Sequence, residues 1–324
     1  MSFTRADYVY ITSWGNSGST LLELLLGRHP DMTSIGEIDR LSLQFARANR
    51  VDKPGVCSCG KRPMDCPVWA AVANAVKHSY GADLSEAPFS WRVSSIGSEK
   101  DLKWRAPFSL AARAWYRTFR TAEYDNLPGV KWLSFLSLAH RKWVEHRFFA
   151  ADVIRSLTNA KAVIDASKDR VSMRDVYDYG TGRVKLLFLT RDVRGVVWSR
   201  AKRMKTRRTT EPIAKKWVRV NRGILRFLDG VPPHDWMHVK YEELCAQPIE
   251  TLRRVCGFLG YPYDPAIENL NSFDQHTIGG NRIRFSTIGV IKEDLSWKEQ
   301  LTSAELEHIH RVSHPMMMRL GYQW

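Results

Sequence analysis

Hydrophobic and polar positions along the chain predict strands and helices in turn. Residues 8–14 (Tyr-Val-Tyr-Ile-Thr-Ser-Trp) form a β-branched and aromatic run that stops at Gly15, the pattern of a short buried strand. Residues 17–28 follow, with Leu21, Leu22, Leu24, Leu25 and Leu26, and end before His29-Pro30. They read as a mostly buried helix. A strand, a small polar turn and a helix within about 30 residues make the front half of a βαβ unit. Residues 162–166 (Ala-Val-Ile-Asp-Ala), 185–190 (Lys-Leu-Leu-Phe-Leu-Thr) and 236–241 read as further strands. The run at 185–190 is apolar without alternation, as expected where helices cover both faces. Helical patterns occupy 67–80, with Pro at its start, then 108–123, 132–157, 195–204, 211–229, 248–259 and 302–320, while 84–107 is irregular. In 211–229, Ile213, Trp217, Val220, Ile224 and Phe227 make one stripe and Lys215, Arg219, Arg222 and Arg226 another.

Strands alternating with helices predict an α/β fold, a parallel sheet flanked by helices on both faces. The chain has 324 residues, 44% of them hydrophobic, enough for a sizeable core. It shows no linker, repeat or low-complexity tract, so one domain is expected. An aromatic content of 11% excludes a disordered chain. Residues 8–14 are too short for a signal h-region, and no apolar run approaches the roughly 20 residues of a membrane helix. The expectation is a cytoplasmic protein that is not transmembrane.

Charge adds an anion. The net charge is +15, and residues 200–226 hold eleven Lys and Arg against the single acid Glu211. Such a field gathers nucleotides, acidic acceptors, membrane surfaces or nucleic acid, unless the basic residues are only a solvated helix face.

Two segments suit a phosphate. Gly15-Asn16-Ser17-Gly18-Ser19-Thr20 lies between a predicted strand and a helix N-terminus. Glycines admit an anion close to the backbone, the first-turn N–H groups point at it, and three hydroxyls add donors. An ordinary βα turn uses the same residue types. The Walker spacing Gly-x-x-x-x-Gly-Lys-Ser/Thr is absent. The second segment is Leu189-Thr-Arg-Asp-Val-Arg-Gly-Val-Val-Trp-Ser199, in which Arg191 closes a strand and Ser199 lies eight residues on, in the next helix. A guanidinium at the carboxyl end of a parallel strand sits where open α/β sheets take ligands. Pairing of Asp192 with Arg191 or Arg194 is the structural alternative.

Together these segments resemble the sulfotransferase superfamily that uses 3′-phosphoadenosine 5′-phosphosulfate (PAPS). Asn16–Thr20 is similar to its 5′-phosphosulfate loop, and Arg191 with Ser199 to its 3′-phosphate grip. The stretch around Tyr241 (Val239-Lys-Tyr-Glu-Glu-Leu244) and the segments Gly280-Asn281-Arg282-Ile-Arg284 and Trp297-Lys-Glu-Gln-Leu301 look like its third recurring stretch and its nucleotide-closing end. The resemblance leaves residues 51–159 uncovered, which makes them a largely helical insertion on the acceptor side. It implies PAPS as co-substrate, adenosine 3′,5′-bisphosphate (PAP) as product and no required metal, because protein cations and N–H groups meet the phosphates.

The run to Gly36-Glu37 resembles the segment in tyrosylprotein and carbohydrate sulfotransferases whose Glu takes the acceptor proton. Glu37 is the expected base, with Glu23 and Asp39 as weaker candidates; the structural alternative is a carboxylate facing a helix N-terminus. Lys168, in Asp165-Ala-Ser-Lys-Asp169, resembles the lysine that steadies the departing phosphate oxygen. One departure stands out: the family usually carries Arg or Lys at the position of Asn16. Lys168 or Arg170 is the expected substitute cation.

Cys57-Ser-Cys59-Gly-Lys-Arg-Pro-Met-Asp-Cys66 suits zinc with a fourth ligand such as His78, or a disulfide; either reading makes it a structural loop near the acceptor. No metal is assigned to the reaction. The acceptor (a sugar, lipid, phenol or peptide) is unidentified, with Trp91, Trp104, Trp115, Tyr116 and Trp132 available to line its cleft. The rival enzyme class is a P-loop-like small-molecule kinase, which lacks its Walker lysine here. The rival outside enzymes is a basic nucleic-acid-binding protein using the 200–226 run, which no specific nucleic-acid motif supports.

Overall fold

The computed structural model describes residues 5–50, 54–94, 134–180, 182, 184–204, 210–269, 275–285 and 289–324. The expected helix at 108–123 and the aromatics Trp104, Trp115, Tyr116 and Trp132 lie outside them.

Five parallel strands form one sheet: β1 (Tyr8–Ser13), β2 (Met32–Gly36), β3 (Ala162–Lys168), β4 (Val184–Thr190) and β5 (Trp236–Lys240), in the order β2-β3-β1-β4-β5. The two most apolar runs, β1 and β4, are adjacent and buried at every residue. Successive side chains alternate between faces. Val9, Ile11, Ile164, Leu187 and Leu189 meet α1 (Ser19–Leu26) and the helix Pro248–Leu259 in one core layer. Tyr8, Tyr10, Val163, Leu186 and Phe188 face the other. There they meet the helices Pro67–Tyr80, Ser134–Thr158, Arg170–Tyr179, Val193–Met204 and Thr210–Leu228. The expected α/β fold with helices on both faces is the fold observed. Among the described residues no helix is long and apolar enough to cross a membrane.

The amphipathic stripe predicted for 211–229 is the observed one: Ile213, Trp217, Val220 and Ile224 are buried, and Lys215, Arg219, Arg222 and Arg226 are exposed. Sequence reasoning missed β2. Met-Thr-Ser-Ile-Gly is short and only half apolar, and it becomes a strand because β3 offers an open edge at Met32↔Ala162 through Gly36↔Asp165.

Two irregularities matter for the site. The register of β3 shifts against β1 between Tyr10 and Thr12 and against β2 between Ser34 and Gly36. The end of β3 is therefore irregular against both neighbours, and its last residue, Lys168, is still paired with Thr12 of β1 and has φ 69. A non-glycine residue in the left-handed region is held there by its surroundings, a feature that concentrates at functional sites.

Candidate active site

A cleft of about 1430 Å³ opens along the carboxyl ends of the strands. The loop after β1 forms its floor. Gly18 stands before α1 with φ 90, and a Cβ there would lie 2.5 Å from the Tyr241 ring, so only glycine fits. Asn16 is also left-handed, with φ 74. Asn tolerates that region better than Lys or Arg because its short amide bonds locally. The Ser17 hydroxyl is buried without a hydrogen-bond partner among the described residues. A buried orphan donor beside a helix N-terminus suits a phosphate oxygen.

The structure brings the second candidate segment, Arg191 with Ser199, onto this loop. Arg191 Nη1 donates to the Asn16 carbonyl at 3.2 Å, and Asn16 Nδ2 donates to Ser199 Oγ at 3.0 Å. The Arg191 guanidinium lies 4.5 Å over the Tyr241 ring and also donates to the Asp294 carbonyl at 3.1 Å. Gly195 clears its path, since a Cβ there would approach Arg191 Nε to 3.0 Å. Asp192 is occupied by Arg194 through Nη2 at 2.5 Å, leaving Arg191 to the cleft.

The expected substitutes for the missing Asn16 cation were Lys168 and Arg170. Both line the cleft, but Lys168 is paired with Glu37 and Arg170 donates to the Arg219 carbonyl. The sequence reading passed over Arg200 and Lys216. Arg200 Nη1 is 3.6 Å from where a Gly15 Cβ would stand, and Arg200 and Lys216 both stack on Trp14, at 5.0 and 5.3 Å. Burial, then Arg200, Arg219 and Arg170, push the Lys216 ammonium below its ordinary value. Like charges crowded into one cleft call for an anion between them. Part of the basic run at 200–226 thus serves the cleft.

Glu37 follows the last residue of β2. Gly36 must be glycine: its φ is 74, and a Cβ would lie 2.3 Å from the Ile278 carbonyl. Glu37 N–H donates to that same carbonyl at 2.7 Å. The carboxylate accepts from Lys168 Nζ and, at 2.6 Å, from Arg40 Nε. Burial raises its pKa, but the charges of Lys168 and Arg40 outweigh burial and hold it below the usual carboxylate range.

The other two candidate bases have different places. Asp39 accepts from the buried Arg147 and from Ser172 Oγ at 2.8 Å, while Arg147 Nη1 donates to Asp165 at 2.5 Å. That network braces the end of β3 beneath the cleft, and Asp39 is absent from the cleft lining. Its key residue, Arg147, comes from the middle stretch assigned to the acceptor side. Glu23 is fully buried in α1; burial raises its pKa to about 8, with the Lys168 charge opposing and the Glu37 charge adding to it. The closing segment lies over the cradle, where Asn281 N–H donates to Thr20 Oγ1 at 3.3 Å and Arg282 lines the cleft.

The family model described as "Sulfotransferase family" matches residues 183–265, a quarter of the chain. Carbohydrate sulfotransferase 2 of Mus musculus and of Homo sapiens are each 27% identical over 101 residues, 29% of this chain and 19% of theirs. The match therefore spans about a fifth of the length of those relatives. Two synthase-derived domains have similar structures. The sulfotransferase domain of the curacin biosynthetic pathway has TM-score 0.52 and 16% identity over 99% of both chains. That of the Synechococcus PCC 7002 olefin synthase has TM-score 0.53 and 18% identity over 99% of this chain and 97% of that one. Sulfotransferase STF9 from Mycobacterium avium has TM-score 0.50 and 13% identity over 99% of this chain and 78% of that one. At such identities the structural likeness speaks for the fold, and the matched segment carries Arg191, Ser199 and Tyr241 within it. On these grounds residues 183–265 are similar to the sulfotransferase family, and the whole chain has the fold of solved sulfotransferase domains.

Proposed function

We propose that the protein transfers a sulfuryl group from PAPS to a hydroxyl, or an amine, of an acceptor. The observation that carries this reading is the convergence of Arg191 and Ser199 on Asn16, which joins two anion grips 175 residues apart in sequence at one cleft. A donor phosphorylated at both ends of its adenosine needs two such grips. Residues 17–20 hold the 5′-phosphosulfate, and Arg191 and Ser199 hold the 3′-phosphate. Tyr241 backs the cradle, and Asn281 and Arg282 close over it. Arg200 and Lys216 supply the positive charge that Asn16 lacks, so donor binding draws on protein cations and requires no metal.

In the reaction, the acceptor oxygen attacks sulfur while the bond from sulfur to the 5′-phosphate oxygen breaks. Glu37 takes the acceptor proton and Lys168 steadies the charge growing on the departing oxygen. The products are a sulfate ester, or a sulfamate from an amine, and PAP. The Lys168–Glu37 pair is a resting arrangement. The incoming phosphosulfate competes for Lys168, and Glu37, released from it, becomes a stronger base. The carbohydrate sulfotransferase relatives make sugar hydroxyls the first acceptors to test, ahead of lipids, phenols and peptide tyrosines.

Thermal shift tests the donor. PAP stabilises the protein without Mg²⁺ and ATP does so far less; strong stabilisation by Mg·ATP with none by PAP overturns the reading in favour of a kinase. Salt-sensitive binding to duplex DNA with no response to PAP favours a nucleic-acid-binding protein. Transfer from labelled PAPS to pooled acceptors then identifies the substrate.

A further inference from the structure

The fold draws together four metal-ligating side chains outside the cleft chemistry. The ligand atoms of Cys57, Cys59, Cys66 and His276 all lie within 4.8 Å of one another. His78, the ligand expected from sequence, is exposed and sits twelve residues along the helix from Cys66, about 18 Å away at 1.5 Å per residue. His276 takes that place from 210 residues downstream. Its Nδ1 is 3.2 Å from Cys66 Sγ and 3.9 Å from Cys57 Sγ. We propose that Cys57, Cys59, Cys66 and His276 bind one structural zinc ion.

The geometry favours a metal over a disulfide. A tetrahedral zinc with bonds of about 2.3 Å to sulfur and 2.0–2.1 Å to nitrogen spaces its ligand atoms roughly 3.5–3.8 Å apart. The observed cluster needs small adjustments to reach that: no pair is wider than 4.8 Å, and the Cys66–His276 pair opens slightly from 3.2 Å. A disulfide uses two of the three thiols and accounts for neither the third thiol nor the imidazole beside them. All five cysteines of the chain are free.

The surroundings suit the ion as well. Cys66 immediately precedes the helix Pro67–Tyr80, whose N-terminus favours a thiolate. Three thiolates and Zn²⁺ carry a net charge of −1. The buried Arg284 guanidinium stands beside them, donating to the carbonyls of Val56 at 2.8 Å and Thr277 at 2.6 Å, next to Cys57 and His276. Trp69 Nε1 fixes the His276 carbonyl at 2.8 Å. Such outer partners orient ligands and hold the metal. Cys59 and His276 are half-buried, which leaves a path for the ion to enter.

The site joins two segments that also share hydrogen bonds and the packing of buried Ile278 against the core around Cys57 and Trp69. Ser58 N–H donates to the Thr277 carbonyl at 2.9 Å, and Thr277 N–H to Ser58 Oγ at 2.8 Å. Two residues on from His276, Ile278 accepts from Glu37 N–H. The metal therefore clamps the cysteine loop to the strip that seats Glu37 and leads into Asn281 and Arg282. The proposal does not depend on sulfuryl transfer.

The test is metal content. Protein purified from zinc-containing medium without chelators carries one zinc per chain by mass spectrometry of the elements, and thiol-blocking mercurials release it to a colorimetric chelator. Cys66→Ser and His276→Ala lose the zinc, His276→Cys keeps it, and His78→Ala is unaffected. Cobalt replacing zinc gives the intense visible bands of a tetrahedral thiolate site, which shift in His276→Cys; this reads the ligands even where Cys66→Ser fails to fold. Folded wild-type protein with no zinc, a Cys57–Cys66 disulfide found by intact-mass and peptide mapping, or full zinc content in His276→Ala each overturns the proposal.

Discussion

The Asn16 amide donates to the Ser199 hydroxyl at 3.0 Å, joining the loop after β1 to the helix after β4. A residue that looks like a loss of charge in the sequence is a bridge between the two candidate phosphate-binding segments. Its left-handed backbone, at φ 74, favours the short amide over a long cation.

That bridge gives the first prediction. Asn16→Ala and Ser199→Ala each weaken PAP binding by up to about tenfold, the span of a neutral hydrogen bond. The double variant is little worse than either single one, because the two share one interaction. Arg191→Ala costs more, about 10- to 100-fold, because its hydrogen bonds are charge-assisted. Calorimetry with PAP checks all four; equal affinity in wild type and Arg191→Ala removes that residue from the site.

Arg200 and Lys216 act through charge. Arg200→Ala and Lys216→Ala weaken PAP binding and flatten its dependence on salt, while adenosine, which is uncharged, binds as before. A matching loss for adenosine would mean that the Trp14 stack, and not the charge, has been damaged.

Glu37→Gln lowers kcat by about 10²–10⁴-fold and leaves PAP affinity nearly unchanged. The pH profile separates base from scaffold. With Lys168 and Arg40 holding Glu37 below the usual carboxylate range, wild-type kcat/KM keeps its base ionised down to acid pH. In Lys168→Ala the burial of Glu37 loses its largest opponent, so the acid limb of the remaining activity moves to higher pH. An unmoved limb argues against Glu37 as the base.

Glu23 predicts a stability effect. Its folded-state pKa is raised from 4.5 to about 8, chiefly by burial. Below pH 4.5 it is protonated whether folded or not and costs nothing. As pH rises from 4.5 towards 8 the unfolded chain releases a proton that the folded chain must keep, so stability falls, and beyond about 8 the loss is complete. Glu23→Gln therefore gains stability over wild type progressively across that window and by a constant amount above it. Urea melts at several pH values measure the gap.

Arg147→Met leaves Asp39 and Asp165 buried without their shared partner. Removing one member of a buried ionic network costs about 3–5 kcal/mol. The urea midpoint should drop accordingly. Because Arg147 lies beneath the cleft and not in it, the protein that remains folded should bind PAP normally.

Some of this was legible in the chain because it is local. The apolar runs of β1 and β4, the glycine-rich turn, and the stripe of Ile213, Trp217, Val220 and Ile224 are set by neighbours in sequence, where burial period and backbone freedom act directly. β2 escaped notice because Met32–Gly36 lacks a strand pattern of its own and owes its form to the edge of β3.

The sequence by itself determined the α/β layering and marked the two segments proposed to grip anions, since hydrophobic spacing and turn chemistry operate over a few residues. Only the tertiary structure decided which distant groups meet. It set Asn16 on Ser199, Arg147 between Asp39 and Asp165, Lys168 on Glu37, and His276 among the cysteines. These contacts span from 18 to 219 residues and arise from the order in which strands enter the sheet, a choice made by the packing of whole layers and not by any single segment.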